Sequence, residues 1–199
     1  MAEREKRSRG RPKSVDRQRT IELAMASYWQ EGIGTLSLNE LCRRARISKP
    51  ALYREFGDED GLMEAVLTHY RKLLVDPVLA AVTMERSFAQ VMDALIVGMT
   101  TERGTPAGCL FTEMRLARSR LGSRTEARLR AIEGERKAAF ERWFAQALER
   151  GEVDASLSPE LAAGYIDTQF TSLLLQLGMG EPAEQVREQA RLALSVLAA

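Results

Sequence analysis

Residues 37–56, S-L-N-E-L-C-R-R-A-R-I-S-K-P-A-L-Y-R-E-F, constrain the fold more than any other stretch of the 199-residue chain. They have the grammar of two short helices joined by a tight turn. Ser37 followed by Glu40 reads as a capping box, in which each side chain satisfies an orphan N–H at a helix start. Leu38, Leu41 and Ala45 then share one face, and Arg46 and Ile47 make the turn. Ser48 is a second N-cap, and Pro50 sits in the first turn, where its missing N–H costs little. Leu52 and Phe56 point inward, which leaves Lys49, Ala51, Tyr53 and Arg54 on the outer face. A short helix with a basic and aromatic outer face, propped by a capped partner, has the dimensions and chemistry of a major-groove reader.

Charge is distributed to match. The net charge is only +1, but residues 1–57 carry a surplus of six positive charges and residues 58–199 a deficit of five. A basic front end on an acidic body presents one face to an acidic polymer. The two cysteines, Cys42 and Cys109, lie far apart and form neither a disulfide framework nor a zinc ribbon. The sole histidine, His69, leaves nothing to build a metal site around. No clustered nucleophile and base suggest an enzyme, and no cofactor is expected. The basic N-terminus lacks an apolar signal-peptide core, and no apolar run approaches the roughly 20 residues of a membrane helix. The expectation is a soluble, cytoplasmic, all-α protein.

The remaining punctuation is helical. Residues 1–13 are polar and basic and read as a disordered arm. Helices are expected over 15–31, with Ile21, Ala24, Met25, Tyr28 and Trp29 buried, over 58–77, and after Ser87. Further helices are expected over 109–117, over 123–150 ending at Gly151, after Ser158-Pro159, and after Glu181-Pro182. The count is near nine, with no strand signal and no repeat. The divisions are the arm, a head over 14–74 and a body over 75–199.

The motif resembles the helix-turn-helix of the TetR family of bacterial transcriptional regulators. The likeness runs upstream through the amphipathic helix ending at Gly32 and downstream through F-G-D-E-D-G-L, covering roughly residues 15–67. It implies a homodimeric regulator, a repressor that binds a palindromic operator in double-stranded DNA and is released when an effector in the body moves the fourth helix. The DNA contacts it implies, joined to the reading above, are Ser37, Arg43, Arg44, Ser48, Lys49, Pro50, Ala51, Tyr53 and Arg54. Arg9, Arg11 and Lys13 join them, because Arg9-Gly10-Arg11-Pro12 resembles an AT-hook core slim enough for a minor groove.

The effector is expected to be apolar or aromatic, lined by Met92, Leu95, Met99, Cys109, Met114, Phe140, Trp143 and Phe170. The two-fold interface is expected from the last two helices, through Tyr165, Phe170, Leu173, Leu174, Leu177, Val186, Ala190 and Leu194. Cys109 in G-C-L-F resembles a motif of one branch in which some members sense electrophiles, so a thiol-responsive regulator is one alternative. An effector-independent architectural DNA-binding protein is another. Three residues depart from the family pattern: Arg46 at a turn position usually Gly, Glu59 where a Lys often touches phosphate, and Glu55 beside the reading face.

Overall fold

A computed structural model of the chain describes residues 16–82, 86–102, 104 and 106–198. Among them the chain is helical throughout, apart from turns and a single antiparallel bridge between Val153 and Ala198. The arm, with Arg9, Arg11 and Lys13, lies outside the described residues.

The head is α1 (Arg17–Glu31), α2 (Leu38–Ala45), α3 (Lys49–Phe56) and α4 (Glu59–Tyr70). A π-helical turn, Arg71–Val75, carries α4 into α5 (Asp76–Ala81). The body follows as α6 (Phe88–Thr100), α7 (Leu110–Leu116), α8 (Ser123–Glu149), α9 (Pro159–Gly178) and α10 (Ala183–Leu194). With α4, the π-turn and α5 taken as one continuous rod, the described residues form nine helices, near the expected number. The rod is longer than the expected helix over 58–77 and is interrupted inside it.

Helix starts are set by local chemistry. Asp16, Ser37, Ser48, Asp58, Ser87 and Ser158 each accept a backbone N–H from their own first turn. The expected reciprocal box at Ser37 is only half present. Ser37 Oγ takes the Glu40 N–H at 3.3 Å, but the Glu40 carboxylate turns to Arg43 and Arg44. The full box forms instead at Ser87 and Gln90.

Burial divides into two apolar clusters. The first holds Ile21, Tyr28, Leu41, Leu52, Phe56 and Leu62 of the head, and runs on into Cys109, Leu110, Phe111, Met114, Leu129 and Ile132. The second belongs to the body, around Phe88, Phe140, Trp143, Phe144, Ile166 and Phe170. The head's core therefore extends past residue 74, because α7 and the first half of α8 close it. No helix among the described residues is long and apolar enough to cross a membrane.

Candidate nucleic-acid interface

The second motif helix, α3, is held from both ends and from beneath. Ser48 Oγ accepts the Ala51 N–H at 3.3 Å, and Pro50 occupies the first turn. At the far end Gly57, with φ 84°, donates its N–H to the Tyr53 carbonyl at 2.8 Å and stops the helix. Leu52 and Phe56 are buried beneath. Burying two such side chains is worth about 1.5–3 kcal/mol each. The outer face that remains is Lys49, Pro50, Ala51, Tyr53 and Arg54, with Tyr53 44% exposed.

The turn before α3 settles the question raised by Arg46. Its backbone is left-handed (φ 55°, ψ 39°), the only non-glycine with positive φ among the described residues. The Arg46 N–H reaches the Arg43 carbonyl at 3.2 Å, and the Ile47 N–H reaches the Cys42 carbonyl at 3.0 Å. The turn keeps the geometry that suits Gly and bears about 1–2 kcal/mol of strain for it.

The basic residues separate into two sets. Arg43 pairs with Glu40 at 2.6 Å. Arg44 pairs with Glu40 at 2.8 Å and also with Glu31 of α1, so it braces α2 against α1. Hydrogen bonds from Arg43 and then Arg44 hold the Glu40 carboxyl down at about 2, so the brace stays charged at any ordinary pH. Lys49 and Arg54 have no ion pair among the described residues. Arg43 and Arg44 are thus committed to internal partners, unlike the two cations on α3. Ser37 and Ser48 are exposed, but each hydroxyl is engaged as a cap.

Glu55, beside the outer face of α3, is paired with Arg17 at 3.2 Å, and the Arg17 guanidinium lies 5.2 Å over the Phe56 ring. Its charge is balanced by α1. Glu59 lies exposed in the first turn of α4, where the helix dipole favours it.

In the body, two groups of expected residues are placed as follows. Of the effector residues, Cys109 and Met114 lie in the first cluster, while Met92, Leu95, Phe140, Trp143 and Phe170 lie in the second and Met99 packs at its edge. They are divided between the two clusters. Rings fill the second cluster, with Phe88 stacked on Trp143 at 4.3 Å and Phe140 edge-on to Phe170 at 5.9 Å. Met92 alone of the set borders an outer groove, about 180 Å³, between α6 and α10. Of the interface residues, Phe170, Leu173, Val186, Ala190 and Leu194 are spent inside the chain's own core, none more than 7% exposed. Tyr165, Leu174 and Leu177 stay half-buried, and Tyr165 donates its hydroxyl to the Ala193 carbonyl at 2.8 Å. The apolar residues that α9 and α10 present outward are Leu161, Met179 and Leu192.

One feature of the body went unseen in the sequence. Arg115, Arg118 and Arg136 converge on Glu133 and Asp167 at 2.6–3.2 Å, tying α7, α8 and α9 together. Arg136 is mostly buried, and its guanidinium lies 5.0 Å over the Phe111 ring. The pairs of this network join residues 15 to 52 positions apart, so no local spacing announces them.

Cys109 is buried at the N-cap position of α7, with its Sγ 3.0 Å from the Tyr70 hydroxyl. Tyr70 meets Trp29 edge-on at 5.3 Å, and Trp29 donates its indole N–H to the Ala107 carbonyl at 3.2 Å. The cysteine thus sits where α1, the end of α4 and α7 meet. Burial pushes the Cys42 thiol up, in keeping with a packing role. No group of three His, Cys, Asp or Glu among the described residues could hold a metal ion.

Comparison with known proteins agrees with this geometry. The profile of the bacterial regulatory proteins of the tetR family matches residues 21–66, which are α1 to most of α4. The HTH-type transcriptional repressor ComR of Escherichia coli (strain K12) is 35% identical over 111 residues, 53% of this chain and 52% of ComR. The match therefore spans about half of that relative's length. A TetR-family regulator from Agrobacterium tumefaciens superposes with a TM-score of 0.81 at 12% identity, covering 92% of this chain and 97% of that one. The reduced form of E. coli NemR gives 0.76 at 16% identity, covering 92% and 97%. A cysteine-substituted CifR bound to a 26-base-pair operator duplex gives 0.79 at 24% identity, covering 94% and 100%. The helix-turn-helix thus lies inside the span matched by the tetR family model, and the helical frame is that of solved TetR-family structures.

Proposed function

We propose that this regulator is a homodimeric repressor that binds palindromic double-stranded DNA through α3. The observation that carries the reading is the contrast among its cations. Arg43 and Arg44 are consumed by internal carboxylates, while Lys49 and Arg54 flank exposed Tyr53 with no ion pair among the described residues. Such a face suits phosphate and guanine acceptors, with Pro50 and Ala51 small enough to approach thymine methyls. The CifR relative holding operator DNA in the same frame supports it. Two α3 helices related by a dimer axis would enter successive major grooves, about 34 Å apart. The exposed Leu161, Met179 and Leu192 would contribute apolar contacts to that interface.

Footprinting on the DNA flanking the protein's own gene tests this. A palindromic footprint with steep salt dependence is expected. Lys49→Ala should weaken binding and lower the salt slope by about one counterion. Binding that ignores sequence would instead favour the architectural alternative.

The placement of Cys109 favours a second reading for the trigger. Its sulfur touches Tyr70 at the junction of α4 and α7, so a bulky adduct there would have to displace the end of α4. A Cys109→Ser protein that still leaves DNA on treatment with a thiol-reactive electrophile would defeat it.

A further inference from the structure

The long body helix α8 starts without a cap of its own. Its N-cap position is Gly122, which has no side chain to offer. The missing acceptor comes from the head. Asp60 of α4 takes the Arg124 N–H at 2.9 Å and the Thr125 N–H at 3.1 Å, the two amides that an N-cap side chain normally satisfies. The Thr125 hydroxyl lies 2.6 Å from the same carboxylate, and Thr125 is fully buried. The glycine is required by this arrangement, because a Cβ at Gly122 would lie 2.2 Å from the Asp60 carboxyl carbon.

The first turn of α8 also reaches the corner that ends the reading helix. Arg124 pairs with Asp58, the cap of α4, and its Nε lies 3.6 Å from Asp60. Its guanidinium lies across two glycines of the α3–α4 corner, 3.7 Å from where a Cβ would stand on Gly57 and 2.8 Å from one on Gly61. Gly57 is the residue that stops α3. The start of α8 therefore holds the same short corner that sets how α3 projects.

We infer that Asp60, by capping α8 from within the head, is the residue that makes the reading helix turn with α8. Any rearrangement of the body that shifts or tilts the start of α8 is then delivered to α3 through hydrogen bonds of fixed direction. The packing of Leu129 and Ile132 in the head's core holds the helices together, and these bonds add a fixed direction. The inference rests on the DNA-binding reading for its consequence. The coupling itself is a property of the chain and can be measured without DNA.

The test is a double-mutant cycle on the full-length protein, read by amide hydrogen exchange and by affinity for a duplex carrying the upstream sequence of its own gene. Asp60→Ala should speed exchange at Arg124 and Thr125 on the order of tenfold or more, as two charge-assisted bonds are lost. It should also weaken duplex binding by about threefold to thirtyfold. Gly122→Ala should reproduce both effects by evicting the carboxylate, and should add nothing in the Asp60→Ala background. Thr125→Val gives the same pattern at smaller amplitude should Asp60→Ala not fold. Additive effects of the two substitutions would overturn the inference. So would faster exchange at α8 with duplex affinity unchanged. Failure of the unmodified protein to bind any duplex would overturn the DNA reading alone, and the exchange cycle would still decide the coupling.

Discussion

The two ends of α4 meet the body in opposite ways. At its start, Asp58 and Asp60 are bound by backbone and side-chain donors of α8, and glycines at 57, 61 and 122 let the chains close to hydrogen-bonding distance. At its finish, beyond Tyr70, the helix widens into a π-turn in which the Asp76 N–H reaches back five residues to the Arg71 carbonyl. Pro77 follows the widening; it has no N–H for the Leu73 carbonyl, and a proline ring crowds the oxygen four residues back. Leu73 itself is half exposed. A helix clamped at one end and rewindable at the other can accept a change where it is soft and deliver it where it is stiff. The contrast matches the proposed roles, with Cys109 against Tyr70 at the soft end and α3 adjoining the stiff one.

The largest expected effect is at the stiff end. A Cβ on Gly61 would stand 2.0 Å from the Phe56 carbonyl oxygen, so Gly61→Ala must force the corner open. Overpacking of this kind costs about 1–3 kcal/mol. Leu73→Ala at the soft end removes a half-exposed side chain and should cost under about 0.5 kcal/mol. Thermal melting of the two variants checks the contrast, and equal losses would break it.

The stiff end should also fail in acid. Burial pushes the Asp60 carboxyl up, but the Thr125 hydroxyl, the Arg124 and Thr125 amides and the Arg124 charge outweigh it, and the net shift is downward. A carboxyl lowered in the folded state contributes stability above its unfolded value, about 3.9, and loses it as pH falls through the folded value. Protection of the Arg124 and Thr125 amides, measured against their intrinsic exchange rates, should therefore hold down to about pH 4 and fall below it. Loss of protection already near neutrality would contradict the cap.

Tyr70→Phe comes next in size. It deletes the hydroxyl that meets the Cys109 sulfur and leaves the ring packed on Trp29, for about 1 kcal/mol in urea unfolding. The same change should speed reaction of Cys109 with a thiol reagent if that contact restrains the sulfur. An unchanged rate would detach the cysteine from the soft end.

The stiff end was the less legible of the two in the sequence, and the reason is physical. Caps such as Ser37, Ser48 and Ser158 announce themselves because donor and acceptor lie three residues apart. Asp60 and Thr125 are separated by 65 residues, and nothing local to Gly122 says that its cap will arrive from elsewhere. The face of α3 was legible for the same reason as the caps, since Leu52 and Phe56 lie one turn apart. The apolar residues of α9 and α10 were not sortable by pattern. A helix that is apolar most of the way round does not reveal which face meets its own chain, and Phe170, Leu173 and Val186 proved to be core. Pro77 did lie in plain view. It marks a break in an α-helix, but it does not say whether the chain stops or widens there, nor that Arg71 will pair with Asp76 at 3.0 Å and with Glu135 of α8 at 2.5 Å across the break.

The smallest expected effect, and the one that most sharpens the soft end, is Pro77→Ala. Alanine supplies an N–H for the Leu73 carbonyl and removes the ring that crowds it, which is worth about 0.5–1.5 kcal/mol. Against that, the unfolded chain gains freedom when proline is lost, at a cost of about 0.4–1 kcal/mol. The two nearly cancel, so global stability should stay within about 0.5 kcal/mol of the parent. The register should nevertheless change. In an α-helix residues five apart fall on different faces, so rewinding to α geometry would draw Asp76 away from Arg71 and leave Arg71 to Glu135 alone. In the variant, a protected amide at the substituted position with unchanged melting would show that the π-turn is held open by proline alone. An unprotected amide there would show that the Arg71 pairs hold it open, and the soft end would then be stiffer than the comparison allows.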